Sequence, residues 1–146
     1  MATSLRRALV SLLEGDATLV TTLTGGIYDR RELNRTATSA AYDSRGNLEP
    51  CAVVVIESTA ALGPAEFDFE RAFVQVYLYE QEGNHYAGID VAKERVRALL
   101  HRQQVTITPG AVFEMRHTDS LGDSYDEALG AEMTYERFLV WKKRAA

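Results

Sequence analysis

The stretch Cys51–Thr59, CAVVVIEST, limits the fold more than any other part of this chain. It is β-branched and apolar at almost every position. A strand with one wet face alternates apolar and polar residues, because successive side chains point to opposite faces. This stretch does not alternate, so it predicts a strand covered on both faces. The rest of the chain must then supply neighbouring strands and something to lie on each face.

Helices can supply part of the cover. Leu5, Leu9, Leu12 and Leu13 form one apolar stripe, which predicts a helix from about Ser4 to Glu14. Ser4 suits its start, and Gly15 suits a left-handed stop. Asp16 reads as the cap of a second, shorter helix carrying Leu19, Val20 and Leu23, closed by Gly25-Gly26. The longest helix is expected over residues 85–102, capped by Asn84. Tyr86, Ile89, Ala92, Val96, Leu99 and Leu100 make its apolar face, and Asp90–Lys93 and Glu94–Arg97 its wet-side pairs.

Strands supply the rest. EFDFERAFVQVYLYEQ, residues 66–81, changes phase: Phe67 and Phe69 are apolar at odd positions, Val74, Val76 and Leu78 at even ones. Such a switch predicts a bulge or a change of neighbour. With a turn at ALGPA (61–65), it reads as a hairpin whose tip near 60–70 protrudes from the sheet. VTIT (105–108) and AVFEMRHT (111–118) read as strands parted by Pro109-Gly110. DSLGDSYDEALG (119–130) reads as an acidic loop, 131–143 as a last strand, and Ile27-Tyr28 as a short extra one. Residues 30–50 offer little to bury beyond Leu33, Tyr42 and Leu48, and read as an extended arm. The expectation is one domain over 1–146 of α+β class: a mainly antiparallel sheet with an N-terminal helix pair and one long helix packed against it.

Composition closes several routes. A chain of 146 residues buries roughly two-thirds of its unfolded surface and needs no staples. Its single cysteine, Cys51, permits no intrachain disulfide, so a reducing cytoplasm suits it. No apolar run approaches the ~20 residues that span a bilayer. The N-terminus reads as a helix, not a signal peptide. A net charge of −5 argues against binding nucleic acid, where affinity comes mostly from neutralised phosphates; Lys142, Lys143 and Arg144 are too few to change that.

No residue pattern identifies an enzyme. A phosphate loop needs a strand before its glycines and a helix after them, whereas Gly25-Gly26 has a helix before and a strand after. His85 and His101 stand sixteen residues apart, roughly 24 Å along one helix, too far to share a metal. His117 lies on a strand, and neither H-E-x-x-H nor C-x-x-C occurs. Cys51 opens an apolar strand, as a buried cysteine does. Asp119, Asp123, Asp126 and Glu127 lack calcium-loop spacing. Asp68 and Glu70 follow from alternation with Phe67 and Phe69. Catalytic residues, metal ligands and cofactors are accordingly none.

Three stretches carry a resemblance. The opening LRRALVSLLEGDATLVTTLTGGIYDR is a leucine helix, a short second helix with a small-residue stop, then Ile-Tyr. Pro50-Cys51-Ala52-Val53-Val54-Val55 starts a strand just after a proline. FVQVYLY (73–79) is followed by the helix AGIDVAKERVRALL (87–100) and further strands. Together they span most of the chain, and the layout resembles the tail-terminator or tail-completion proteins of tailed bacteriophages. It departs from that pattern in the length of the 30–50 arm and in the hairpin tip.

The resemblance implies a structural virion protein of the tail and neck, assembled in the host bacterial cytoplasm. It implies a homohexameric ring that caps the tail tube, stops its polymerisation and presents a docking surface for the head. The implied partners are itself, the tail tube protein and a head-completion or connector protein. DNA would pass through the lumen without specific binding, and no membrane is involved. Phe67, Phe69, Arg30, Arg31, Leu33 and Tyr42 are the candidate subunit or tube contacts. Two alternatives stand beside this reading: a head-completion or stopper protein, and a small-molecule-binding α+β enzyme domain.

Overall fold

The computed structural model describes residues 4–29, 33, 36, 38–62, 69–108 and 111–143. In chain order these form α1 (Leu5–Glu14), α2 (Ala17–Thr22), β1 (Ile27–Tyr28), a 3-10 turn (Ser39–Ala41), β2 (Cys51–Leu62), β3 (Phe69–Gln81), α3 (Ala87–Leu100), β4 (Ala111–Asp126) and β5 (Ala131–Lys143). The strands make one sheet in the order β1-β2-β3-β5-β4. Only β1 joins in parallel; the other contacts are antiparallel. The fold is α+β, with the helix pair and α3 packed against the sheet, as the periodicities predict.

The apolar run of β2 is covered on both faces. Ala52 and Val54 join one core, with leucines of α1 and α2, the stripe Ile89, Ala92, Val96 and Leu100 of α3, and even-numbered residues of β3 and β5. Cys51 and Val53 join a second core with Leu33, Ala41, Leu48 and Ala131, against which Tyr28, Tyr42, Tyr77 and Tyr79 pack. Each fully buried leucine contributes about 2 kcal/mol of transfer free energy, so the first core dominates stability.

The segment read as an extended arm is folded back over its described residues. Leu33 and Leu48 are each 7% exposed. Tyr42 bridges Leu48, and Asp43 accepts from the Arg45 and Asn47 amides at 2.8 and 2.9 Å, closing a tight turn.

Several local expectations change. Gly15 ends α1 in a right-handed conformation (φ −76°), because the chain enters the Asp16 cap at once. The register shift lies in β2, between Ile56 and Ser58, and not in β3, which runs unbroken against β5. Residues 119–126 belong to β4, so only 127–130 are turn. VTIT forms no strand beyond a bridge at Thr108. α3 starts at Ala87, after left-handed His85 and Tyr86, and no Asn84 side chain caps it.

Candidate assembly interface

The hairpin reaches Leu62 opposite Phe69, and Phe69 pairs on its other side with Lys143. The backbone of Phe69 is therefore inside the sheet, at its far end. Leu33 and Tyr42 meet on the second face, where the chain's own packing buries the first and half-buries the second. Phe67, Arg30 and Arg31 lie outside the described residues. The structure thus brings Leu33 and Tyr42 together and places Phe69 at a distance from them along the sheet.

The sheet's two edges differ. On the outer edge of β4, Met115 gives its N–H to Gln103 O at 3.2 Å and receives the Arg102 N–H at 2.7 Å. The His117 N–H is taken by His101 Nδ1 at 3.0 Å. Lys93 Nζ donates to Leu121 O at 3.1 Å, and Tyr86 O–H to Ser124 O at 2.7 Å. Three register shifts further bend this strand. Such edges resist adding another strand. At the opposite edge, β1 covers β2 only as far as Tyr28 opposite Val53. From Val54 to Leu62 no described strand lies there. An open concavity of about 110 Å³ flanks that edge, lined by Arg6, Asp29, Val54, Val55, Ile56 and Glu57.

Three buried carboxylates escape a reading based on motifs. On the core face of β5, Glu136 is fully buried and meets Arg97 Nη2 at 3.1 Å, Ser120 Oγ at 2.7 Å and His117 Nε2. A catalytic relay needs the two histidine nitrogens to face different partners. Here Nε2 meets both Ser120 and Glu136, so the cluster ties α3 to β4 and β5. Glu132 accepts the N–H groups of Gly83, His85 and Tyr86 at 3.1, 3.3 and 2.9 Å. Glu80 accepts from Gly88 at 3.3 Å, and its Oε1 has no partner. A signal exists for Glu80 and Glu136, each at an even strand position next to apolar even residues, Val76 and Leu78 in β3 and Phe138 and Val140 in β5; Glu132, beside Thr134, offers none.

Other titratable groups follow from their surroundings. Burial pushes the Cys51 thiol up to about 12, which leaves it an inert thiol at neutral pH. The Arg95 guanidinium, bonded to Asp16 Oδ1 at 3.1 Å, holds the Asp16 carboxyl below the usual range and pins α2 to α3. Arg137 does the same to Asp119, one residue of the expected acidic loop. Among the described residues no three histidine, cysteine or carboxylate side chains cluster as metal ligands. No described helix is long and apolar enough to cross a membrane.

No protein-family model and no curated protein sequence matches this chain. Solved structures do. A chain in a structure of the virion of a native gene transfer agent particle superposes with a TM-score of 0.76. It covers 96% of this chain and 95% of its own length, at 13% identity. A second solved structure, 10% identical, covers 97% of this chain and 91% of its own with a TM-score of 0.58. At such identities the shared property is the fold, from the first helix to the last strand.

Proposed function

We propose that this chain is a structural virion protein of a phage-like particle, and within it a tail terminator. Copies close into a hexameric ring that caps the tail tube, halts its growth and offers the head a docking surface. The supporting observation is the end-to-end fold likeness to a chain of the gene transfer agent virion. The partners in this reading are further copies, the tube protein and a head-completion protein. The chain makes contacts and carries out no reaction. A negative net charge suits a lumen through which DNA slides.

Electron microscopy of particles assembled without this chain tests the reading. Overlong tails beside DNA-filled heads are expected. Tails of normal length beside heads that lose their DNA would move the chain to head completion. Normal, infectious particles would overturn the neck assignment.

A further inference from the structure

Two surfaces of this chain carry charge that nothing local balances. One is the first turn of α1. Ser4 caps it, taking the Arg7 N–H on Oγ at 3.2 Å, and Arg6 and Arg7 hold the second and third helical positions. The positive end of the helix dipole disfavours cations there, where a glutamate in place of Arg7 would complete a capping box with Ser4. Both arginines are exposed, and neither joins any of the ion pairs among the described residues. Arg6 shares a concavity with Asp29 and Glu57 without pairing with either. The other surface is the end of the sheet where Gln81, Ala131 and Asp126 stand side by side. The segments that meet there, 81–87 and 121–132, contain no lysine or arginine. Glu82, Asp123 and Glu127 are exposed, and Glu132 is buried with three backbone N–H groups for partners. Tyr125, 45% exposed, donates its O–H to Glu82 Oε2 at 3.2 Å. Desolvation, then the Glu82 and Glu127 carboxylates, holds that hydroxyl above its ordinary pKa. The Lys93 ammonium reaches toward this end but is bonded to Leu121 O. One copy cannot join the two surfaces. Arg6 stands beside Ile56, Ile56 pairs with Val74, and Val74 lies seven residues before Gln81. That is roughly 23 Å along the strand, and β3 and β5 intervene between β2 and β4.

We propose that the two surfaces meet between adjoining copies: Arg6 and Arg7 of one chain dock on Tyr125 and on the Glu82 and Glu127 carboxylates of the next. A guanidinium pairs with a carboxylate through parallel hydrogen bonds and also stacks on an aromatic ring, so one surface offers both groups that arginine takes. Arginine and tyrosine are the side chains that most often anchor interfaces. Each patch repels itself in a lone copy, and the contact sets opposite signs against each other. Donor and acceptor are different surfaces, so the contact is heterologous and able to close a ring. This inference rests on the self-assembly part of the proposed function and names the contact that would carry it.

Disulfide trapping tests it with the charged groups left in place. Ser11→Cys, one turn beyond Arg7, and Ala128→Cys, next to Glu127, are made in separate full-length chains, mixed and oxidised; both positions are exposed, and the native Cys51 is 0% exposed and does not compete. A linked pair on a non-reducing gel is expected, several-fold above a mixture of Ser11→Cys with Ser44→Cys, an exposed position in the Asp43–Asn47 turn. Adding Arg7→Glu to the first chain should cut the link several-fold without lowering that chain's thermal midpoint, because the change completes the Ser4 capping box. Adding Glu127→Lys to the second chain as well should bring the link back. A link that persists through Arg7→Glu, or a loss that Glu127→Lys does not reverse, would overturn the charge pairing. Light scattering on the same samples separates this contact from the ring reading. Assemblies that form without the Ser11–Ala128 link would overturn this contact and leave the ring reading standing. Monomers with no link would overturn the contact and count against the ring as well.

Discussion

At Gly25 the backbone passes so close to the start of β2 that a side chain has no room. A Cβ there would lie 2.9 Å from Glu49 O, 3.0 Å from Pro50 O and 3.2 Å from Cys51 Cβ. The Gly25 N–H donates to Pro50 O at 2.8 Å, so the closeness is a bonded contact that sets β1 beside β2. Gly26, at φ +98°, then turns the chain, its N–H bonded back to Leu23 O at 3.0 Å. The pair is a helix stop, as its context predicts, and also a spacer between two strands. Gly25→Ala is expected to destabilise by about 1–3 kcal/mol, since the obstructing atoms are backbone and cannot swing aside. Gly122→Ala, with nothing within 4 Å, serves as the comparison and should change little. Thermal unfolding of the two variants beside the parent checks this; equal midpoints would mean that the loop at residues 49–51 yields.

Helix α3 shows what an element can conceal. Its sequence offers the Asn84 side chain as a cap, yet the Tyr86 N–H just before the helix goes to Glu132 of β5, 46 residues away, the Ala87 N–H to the Asn84 carbonyl and the Gly88 N–H to Glu80 of β3. Two carboxylates at one helix start suit the helix dipole, but both sit in a buried site. Burial raises the Glu80 pKa above the usual 4.5, the Gly88 N–H pulls it back, and the Glu132 charge adds to the rise. The native state thus holds this proton more tightly than the unfolded chain does. That contribution to stability is full below the ordinary glutamate range and is lost as pH rises through the raised native value. Glu80→Gln keeps an acceptor for Gly88 and removes the ionisation. The variant should match the parent near pH 4 and exceed it at about pH 8, by on the order of 1 kcal/mol. Urea unfolding at both values checks it, and a parent that gains on the variant toward alkaline pH would refute the sign. The same comparison explains what was legible. α1, its Ser4 cap and β5 could be read because a stripe or an alternation is local. The α3 cap could not, because its side-chain acceptors, Glu132 and Glu80, arrive from other strands. β4 hid its second half because an edge strand with polar, half-exposed residues has the composition of a loop. Leu33 and Tyr42 stood out as large apolar residues in a polar stretch, but only the fold shows that both meet the chain's own second core.

For the whole molecule, net charge bears on what the proposed assembly would do with DNA. Each copy carries −5, and closure of the proposed ring would multiply that sign. A DNA-holding ring gains affinity by displacing counterions from phosphates, about one for each lysine or arginine engaged. In this chain many cations already face carboxylates: Arg95 faces Asp16, Arg97 faces Glu136, Arg116 faces Glu114, Arg137 faces Asp119 and Lys142 faces Glu70. For these five of the sixteen lysines and arginines, engaging a phosphate would mean giving up a partner already in place. The expected result is no retention of the purified protein on double-stranded DNA at about 50 mM salt, where phosphate contacts are strongest. Fluorescence anisotropy of a labelled duplex, titrated with protein across a range of salt, measures it. Binding that weakens steeply with log salt would reveal a basic surface built by assembly from cations that a single copy keeps apart. The lumen of the proposed ring would then grip DNA, and the proposal of a ring that lets it slide would fall.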